Sequence, residues 1–261
     1  MTTMSGTQRL LLPLAATAAF IALWQISTQW LGVPSYLIPS PASVLTALQV
    51  GLIQGTLWPH IWATFSALSL GYLAGCAGAL ALAALMSEIP VIEQAFYPLI
   101  VAFQAVPKVA MAPVIIVWLG FGIESKVAMV ALICFFPCFL NSLLGLKSYN
   151  HNLVDLYRAF GASRSQIFYS VKLPSAAAAI FAGLEISVVL ALLGVVMSEL
   201  VASRAGLGHV IAAAGADFNV AMMFACIVIL SVIGVVAAFL IATLRRKLVF
   251  WDGTSRSSTA R

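Results

Sequence analysis

This chain has very little charge: only 8% of its 261 residues are Asp, Glu, Lys or Arg, against roughly a quarter in soluble domains. Water is therefore not its main solvent. Its four cysteines, Cys76, Cys134, Cys138 and Cys226, all lie inside apolar runs, where they read as small packing residues and not as a disulfide framework. Cys134 and Cys138 share a helical face, but no histidine lies near them to complete a metal site. No His or carboxylate cluster has catalytic spacing, and nothing calls for a cofactor. No GxxxxGK[ST] phosphate loop occurs anywhere, so this chain has no such means of holding ATP. The net charge of +5 does not point to nucleic acid, because the basic residues stand at the ends of apolar runs and not on a soluble face interleaved with aromatics.

What is present is apolar length. Hydrophobic residues make up 62% of the chain, in runs at about 10–30, 61–86, 94–119, 127–146, 175–198 and 220–244. A hydrocarbon core needs about 20 helical residues, so the sequence predicts an all-α polytopic membrane protein with about six spans. One transmembrane domain over residues 1–261 leaves no soluble unit. The first run follows Arg9 but exceeds the roughly 7–15 residues of a signal-peptide core, and is expected to be a retained helix. Residues 31–59 hold no charged side chain and include Pro34, Pro39, Ser40 and Pro41, which predicts a translocated loop with an interfacial helix after Pro41. Gly71, Gly75 and Gly78 give the second span a stripe where another helix can approach closely.

The basic residues orient these spans. Arg9, then Lys147, Arg158, Arg164 and Lys172, then Arg245, Arg246, Lys247, Arg256 and Arg261 fall on one side, while Lys126 and Arg204 fall on the other and Lys108 lies within a span. The positive-inside rule selects cytoplasmic N- and C-termini, with a C-terminal tail from about 245 to 261. Trp24, Trp30, Trp58, Trp62 and Trp118 stand near span ends, as interfacial rings should.

The longest polar stretch on the cytoplasmic side, about 147–173, begins KSYNHNLVDLYRAFGASRSQIFYSVK. Asn152 or Asp155 can cap a short helix carrying Leu156, Tyr157, Ala159 and Phe160, and Gly161 permits a sharp turn. Ser163 can cap a second segment whose stripe is Ile167, Phe168 and Val171. The reading is a compact helix-turn-helix that shows aromatics beside cations, a surface suited to a partner.

This stretch resembles the EAA loop of ABC importer permeases: an acidic triplet, three residues, Gly, nine residues, an aliphatic residue, any residue, then Leu-Pro. Here Asp155-Leu156-Tyr157 stands for Glu-Ala-Ala, followed at matching spacing by Gly161, Val171, Lys172, Leu173 and Pro174. Further segments are similar to permeases of the nitrate, sulfonate, taurine and bicarbonate group: LIPSPASVLTAL at 37–48, VPKVAMAPVIIVWLGFGIESK at 106–126, AGLGHVI at 205–211 and RRKLVFWDG at 245–253. The resemblance implies the permease fold of a type I ABC importer in a bacterial inner membrane. It implies as partners a second permease subunit, most simply an identical copy, two cytoplasmic ATPases, an extracytoplasmic solute-binding protein and membrane lipid. The implied solute is a small sulfonate, taurine, nitrate or bicarbonate, or a related pyrimidine precursor or aromatic carboxylate. ATPase coupling then falls to Asp155, Tyr157, Arg158, Ala159, Phe160, Gly161, Ala162, Ser163, Val171, Leu173 and Pro174. A secondary transporter driven by an ion gradient is the alternative, but the two halves show no internal repeat and such a protein has no use for an EAA loop.

A few polar groups remain within or near the spans. Pro107 and Pro113 should bend the third span, which is tolerated only where protein or water serves the freed carbonyls. Lys108 between them and Glu185 in the fifth span are costly at membrane depth. They either form a buried ion pair or line the passage. Glu185 also departs from the basic residue that related permeases often carry there. Glu199, Arg204, His209 and Asp217 belong to the outer loop before the last span, as ordinary solvated residues or as contacts for the binding protein. His60, between Trp58 and Trp62, reads as an interfacial residue.

Overall fold

The computed structural model of the chain describes residues 6–30, 34 and 36–251. Among them every regular element is helical. The order is α1 Gly6–Trp30, α2 Pro41–Ile53, α3 Trp58–Glu88, α4 Pro90–Gln104, a 3₁₀ turn Lys108–Met111, α5 Ala112–Leu119, α6 Ile123–Lys147, α7 His151–Ala159, α8 Arg164–Ile167, a π turn Phe168–Lys172, α9 Leu173–Ala202, α10 Leu207–Ala216 and α11 Val220–Leu248. The expected interfacial helix is α2, with Pro41 in its first turn and the Ser40 hydroxyl accepting from the Ser43 amide at 3.2 Å.

Among the described residues, four stretches are each long and apolar enough to cross a membrane: Trp58–Glu88, Ile123–Lys147, Arg164–Val201 and Val220–Leu248. The third expected span is not one rod. Its halves, Pro90–Gln104 and Lys108–Leu119, meet at 89°. Pro107 stands at the break, with no amide hydrogen to continue a helix, whereas Pro113 lies in the first turn of α5, where that hydrogen is not needed. In α1 the described apolar portion, Ala15–Thr28, is shorter than a full span.

Helices α3, α6 and α9 form the core. Ala67, Ala79, Ala83, Ala176 and Ala191 let the backbones approach, and Met86, Phe139 and Leu143 fill the space between them. Two of the three stripe glycines set the α3–α6 seam. A Cβ on Gly71 would fall 2.5 Å from Val130 Cβ, and one on Gly75 would fall 2.6 Å from the Ala131 carbonyl oxygen. Gly78 faces open space. All four cysteines are free and buried, as packing residues should be.

Charges gather at the two ends of this core. At one end Lys172 Nζ lies 2.6 Å from Glu88 Oε1 and Lys147 pairs with Glu93, joining the π turn that leads into α9 to α3, and α6 to α4. At the other, Lys126 near the start of α6 meets Glu199 near the end of α9.

Candidate functional site

The loop between α6 and α9 folds as a unit. Helix α7 is capped by Asn150, whose side chain accepts from the Asn152 amide at 3.0 Å. The helix thus starts earlier than capping by Asn152 or Asp155 would place it. It stops in a Schellman arrangement: Gly161 N donates to Arg158 O at 2.9 Å, and Ala162 N donates to Tyr157 O at 3.0 Å. Gly161 supplies the left-handed residue this requires, with φ +76° and open space around its α-carbon. Ser163 then caps α8 as expected, in a reciprocal box with Gln166: the Ser163 hydroxyl accepts from Gln166 N and Gln166 Oε1 accepts from Ser163 N.

Val154, Ile167 and Val171 are buried against one another, with Tyr149, Tyr157 and Ala162 packed at their edge. This small core fastens α7 to the continuous helical stretch that becomes α9. Phe168, expected in the same stripe, turns instead to the α3–α6–α9 core and packs at its edge, partly buried. Leu156, Tyr157, Phe160, Gly161, Ala162, Gln166 and Ser170 line an open groove of about 490 Å³. Phe160 is 83% exposed at its edge. Asp155 and Arg158 form an exposed ion pair of 3.3 Å, and Ala159 is exposed beside them. The structure therefore gathers Tyr157, Phe160, Gly161 and Ala162 at one surface. Val171 stands apart in the interior of the loop, and Leu173 and Pro174 open α9, where the Pro174 carbonyl accepts from Trp251 Nε1 at 3.3 Å.

The residues assigned to the passage separate. Lys108 does not pair with Glu185. Its ammonium donates to Gln104 O at 3.0 Å and lies 4.7 Å from the centre of the Phe136 ring, while Glu185 accepts from Arg245 at 3.3 Å. The pairing expectation fails because Lys108, in the 3₁₀ turn at the break, is held against Gln104 and the Phe136 ring, while α11 brings Arg245 to Glu185.

The buried ion pair lies elsewhere. Glu199 is 1% exposed and Lys126 6%, with Nζ 3.4 Å from Oε1. Glu199 also accepts from Thr64 Oγ1 at 2.9 Å and from the Gly208 amide at 2.9 Å, Thr64 Oγ1 accepts from Leu207 N at 2.8 Å, and Lys126 donates to Ala205 O. His60 Nδ1 accepts from Gly206 N at 3.1 Å, and the His60 ring stacks on His209. These bonds serve amides at the start of α10 that have no partner within the helix. The motif at 205–211 now has a physical reason. A Cβ on Gly206, whose φ is +122°, would lie 2.0 Å from Glu199 Oε1, and one on Gly208 would lie 2.7 Å from Glu199 Cβ. Glu199 is thus no solvated loop residue, whereas Arg204 and Asp217 are exposed. Nor is His60 merely interfacial. The detectable signal was a carboxylate at the end of an apolar run, seven positions before the first of a pair of glycines.

Comparison with known proteins places this architecture. Residues 75–250 match the family described as the binding-protein-dependent transport system inner membrane component. The formylaminopyrimidine transport permease protein ThiX of Halalkalibacterium halodurans is 34% identical over 88% of this chain and 92% of its own length. The riboflavin transport system permease protein RibX of Chloroflexus aurantiacus is 36% identical over 90% and 87%, and the taurine transport system permease protein TauC of Escherichia coli 29% over 88% and 85%. Among solved structures, an inward-facing form of the MetNI methionine ABC transporter shares the fold, with a TM-score of 0.65 and 18% identity over 74% of this chain and 97% of that one. A family match over most of the chain displaces the secondary-transporter alternative: the chain belongs to the binding-protein-dependent transport system inner membrane component family and is a permease subunit of an ABC transporter, not an enzyme.

Proposed function

We propose that this permease works as a pair of identical subunits enclosing a passage for a small solute, delivered by a binding protein outside and driven by two ATPases inside. The observation that carries the reading is the self-contained fold of residues 150–172. A loop that only joined two spans would need neither caps at each turn nor its own core, and would not hold Phe160 in the open beside a groove. Tyr157, Phe160, Gly161 and Ala162 form the docking surface for the ATPase. Val171 and its neighbours make the loop rigid, and the Lys172–Glu88 bridge passes its displacement to α3 as well as α9.

The basic residues on the loop side support cytoplasmic termini, and the exposed apolar face of α4 and α5 supports a second copy across the passage. Pro107, Lys108 and Pro113 belong to the passage side of the broken span. Glu185, held by Arg245, binds α9 to α11 instead. The relatives' names span a pyrimidine precursor, a flavin and a sulfonate, so the solute is assigned only as a small organic molecule or oxyanion.

The test is Phe160→Asp, chosen because the ring supports nothing inside the chain. Co-expressed with its ATPase, the variant should reach the membrane in normal amount but retain ATPase on purification at least about thirtyfold more weakly, as when a central aromatic anchor is lost. Full retention of the ATPase would remove this groove from the interface.

A further inference from the structure

Helix α4 starts at the charged cytoplasmic end, where Glu93 pairs with Lys147, and its fifteen residues rise about 22 Å at roughly 1.5 Å per residue. The break that follows places Lys108 over Phe136, which stands near the middle of α6, roughly 17 Å from Lys147 by the same measure. The ammonium is therefore near mid-depth of a hydrocarbon layer about 30 Å thick. An ammonium has three donors. Gln104 O takes one, the Phe136 face offers a weak electrostatic contact, and among the described residues no carboxylate lies within ion-pair distance. Glu185, the other charge expected within a span, has its counter-ion in Arg245.

A cation at this depth costs roughly 2.5–3.5 kcal/mol if it faces lipid, so its open side needs water, protein or a ligand. Phe136 also lines an aromatic groove of about 600 Å³ together with Phe96, Leu99, Phe103, Ala128 and Phe135. We propose that Lys108 is an anion-binding station in the passage, receiving the negative group of a carboxylate or sulfonate while the phenyl rings of the groove accept its apolar body. This rests on the reading of the chain as the conducting subunit. It adds a residue to the passage: Lys108 is where a negative group of the solute is met. The bond to Gln104 O holds the ammonium in place between passages, and the 89° break holds it away from the packed core.

The test does not require the solute. In the full chain lacking its four cysteines and assembled with its ATPase in nanodiscs, a single cysteine at Phe103 or at Val109 is modified by anionic and cationic methanethiosulfonates of similar size. Both reagents should react, the anionic one faster. Lys108→Met should lower the anionic-to-cationic rate ratio about tenfold, as expected for removal of one nearby charge in partly screened surroundings, and Lys108→Arg should preserve it. A ratio indifferent to Lys108→Met, or cysteines that neither reagent reaches at either position, would overturn the station. ATPase recovered with each preparation reports separately on the underlying reading. A sealed site in an intact complex removes only the anion station, and a chain that never retains the ATPase takes both down.

Discussion

Glu199 serves three donors at once: the Lys126 ammonium, the Thr64 hydroxyl and the Gly208 amide. Removing either member of the ion pair leaves the other charge buried without compensation, which costs about 3–5 kcal/mol, whereas removing both is milder. Lys126→Met and Glu199→Gln are therefore each expected to lower the thermal unfolding midpoint of the purified permease, and the double variant to recover part of the loss. Midpoints for both single variants equal to that of the parent would show that the pair contributes no stability. Little of this network was legible in the sequence. Lys126 and Glu199 each stand near a span end, where solvation is the default, and only packing brings together residues 73 and 135 positions apart. The glycines at 206 and 208 were visible as a motif, but their cause, the carboxylate they make room for, was not.

At the scale of the element, the short helices of the loop were legible because their signals are local. Ser163 followed by Gln166 writes a capping box, and Gly161 marks a helix end, so both are readable without tertiary information. The start of α7 was less so, because Asn150, Asn152 and Asp155 are all competent caps and the packing of Val154 decides among them. Gly161→Val tests whether this geometry matters to the partner. A branched side chain in the left-handed region costs about 1–2 kcal/mol, paid locally, so the variant should insert and accumulate normally while solute-stimulated ATP hydrolysis falls steeply. Normal stimulation with normal ATPase association would take Gly161 out of the coupling mechanism.

For the whole molecule, the order of spans and their all-helical character followed from hydropathy, and the bend of the third span from its prolines. The size of that bend did not, since a proline limits one bond and leaves the angle to the packing on either side. Orientation is the prediction that belongs here. A single cysteine replacing Ser163 should resist an impermeant maleimide added to intact cells and react once the inner face is opened; labelling from outside would invert the topology. The π turn at Phe168–Lys172 bears on the whole molecule in another way. Its Leu173 amide reaches back to Phe168 O, so the helix running from α8 into α9 carries one residue more than regular winding would. One residue of an α-helix is about 100° of rotation. The turn therefore works as a fixed angular offset between the loop and the membrane segment, and a chain shortened by one residue there is expected to keep every cap and every span yet swing Phe160 around the helix axis, away from the position proposed for docking the ATPase.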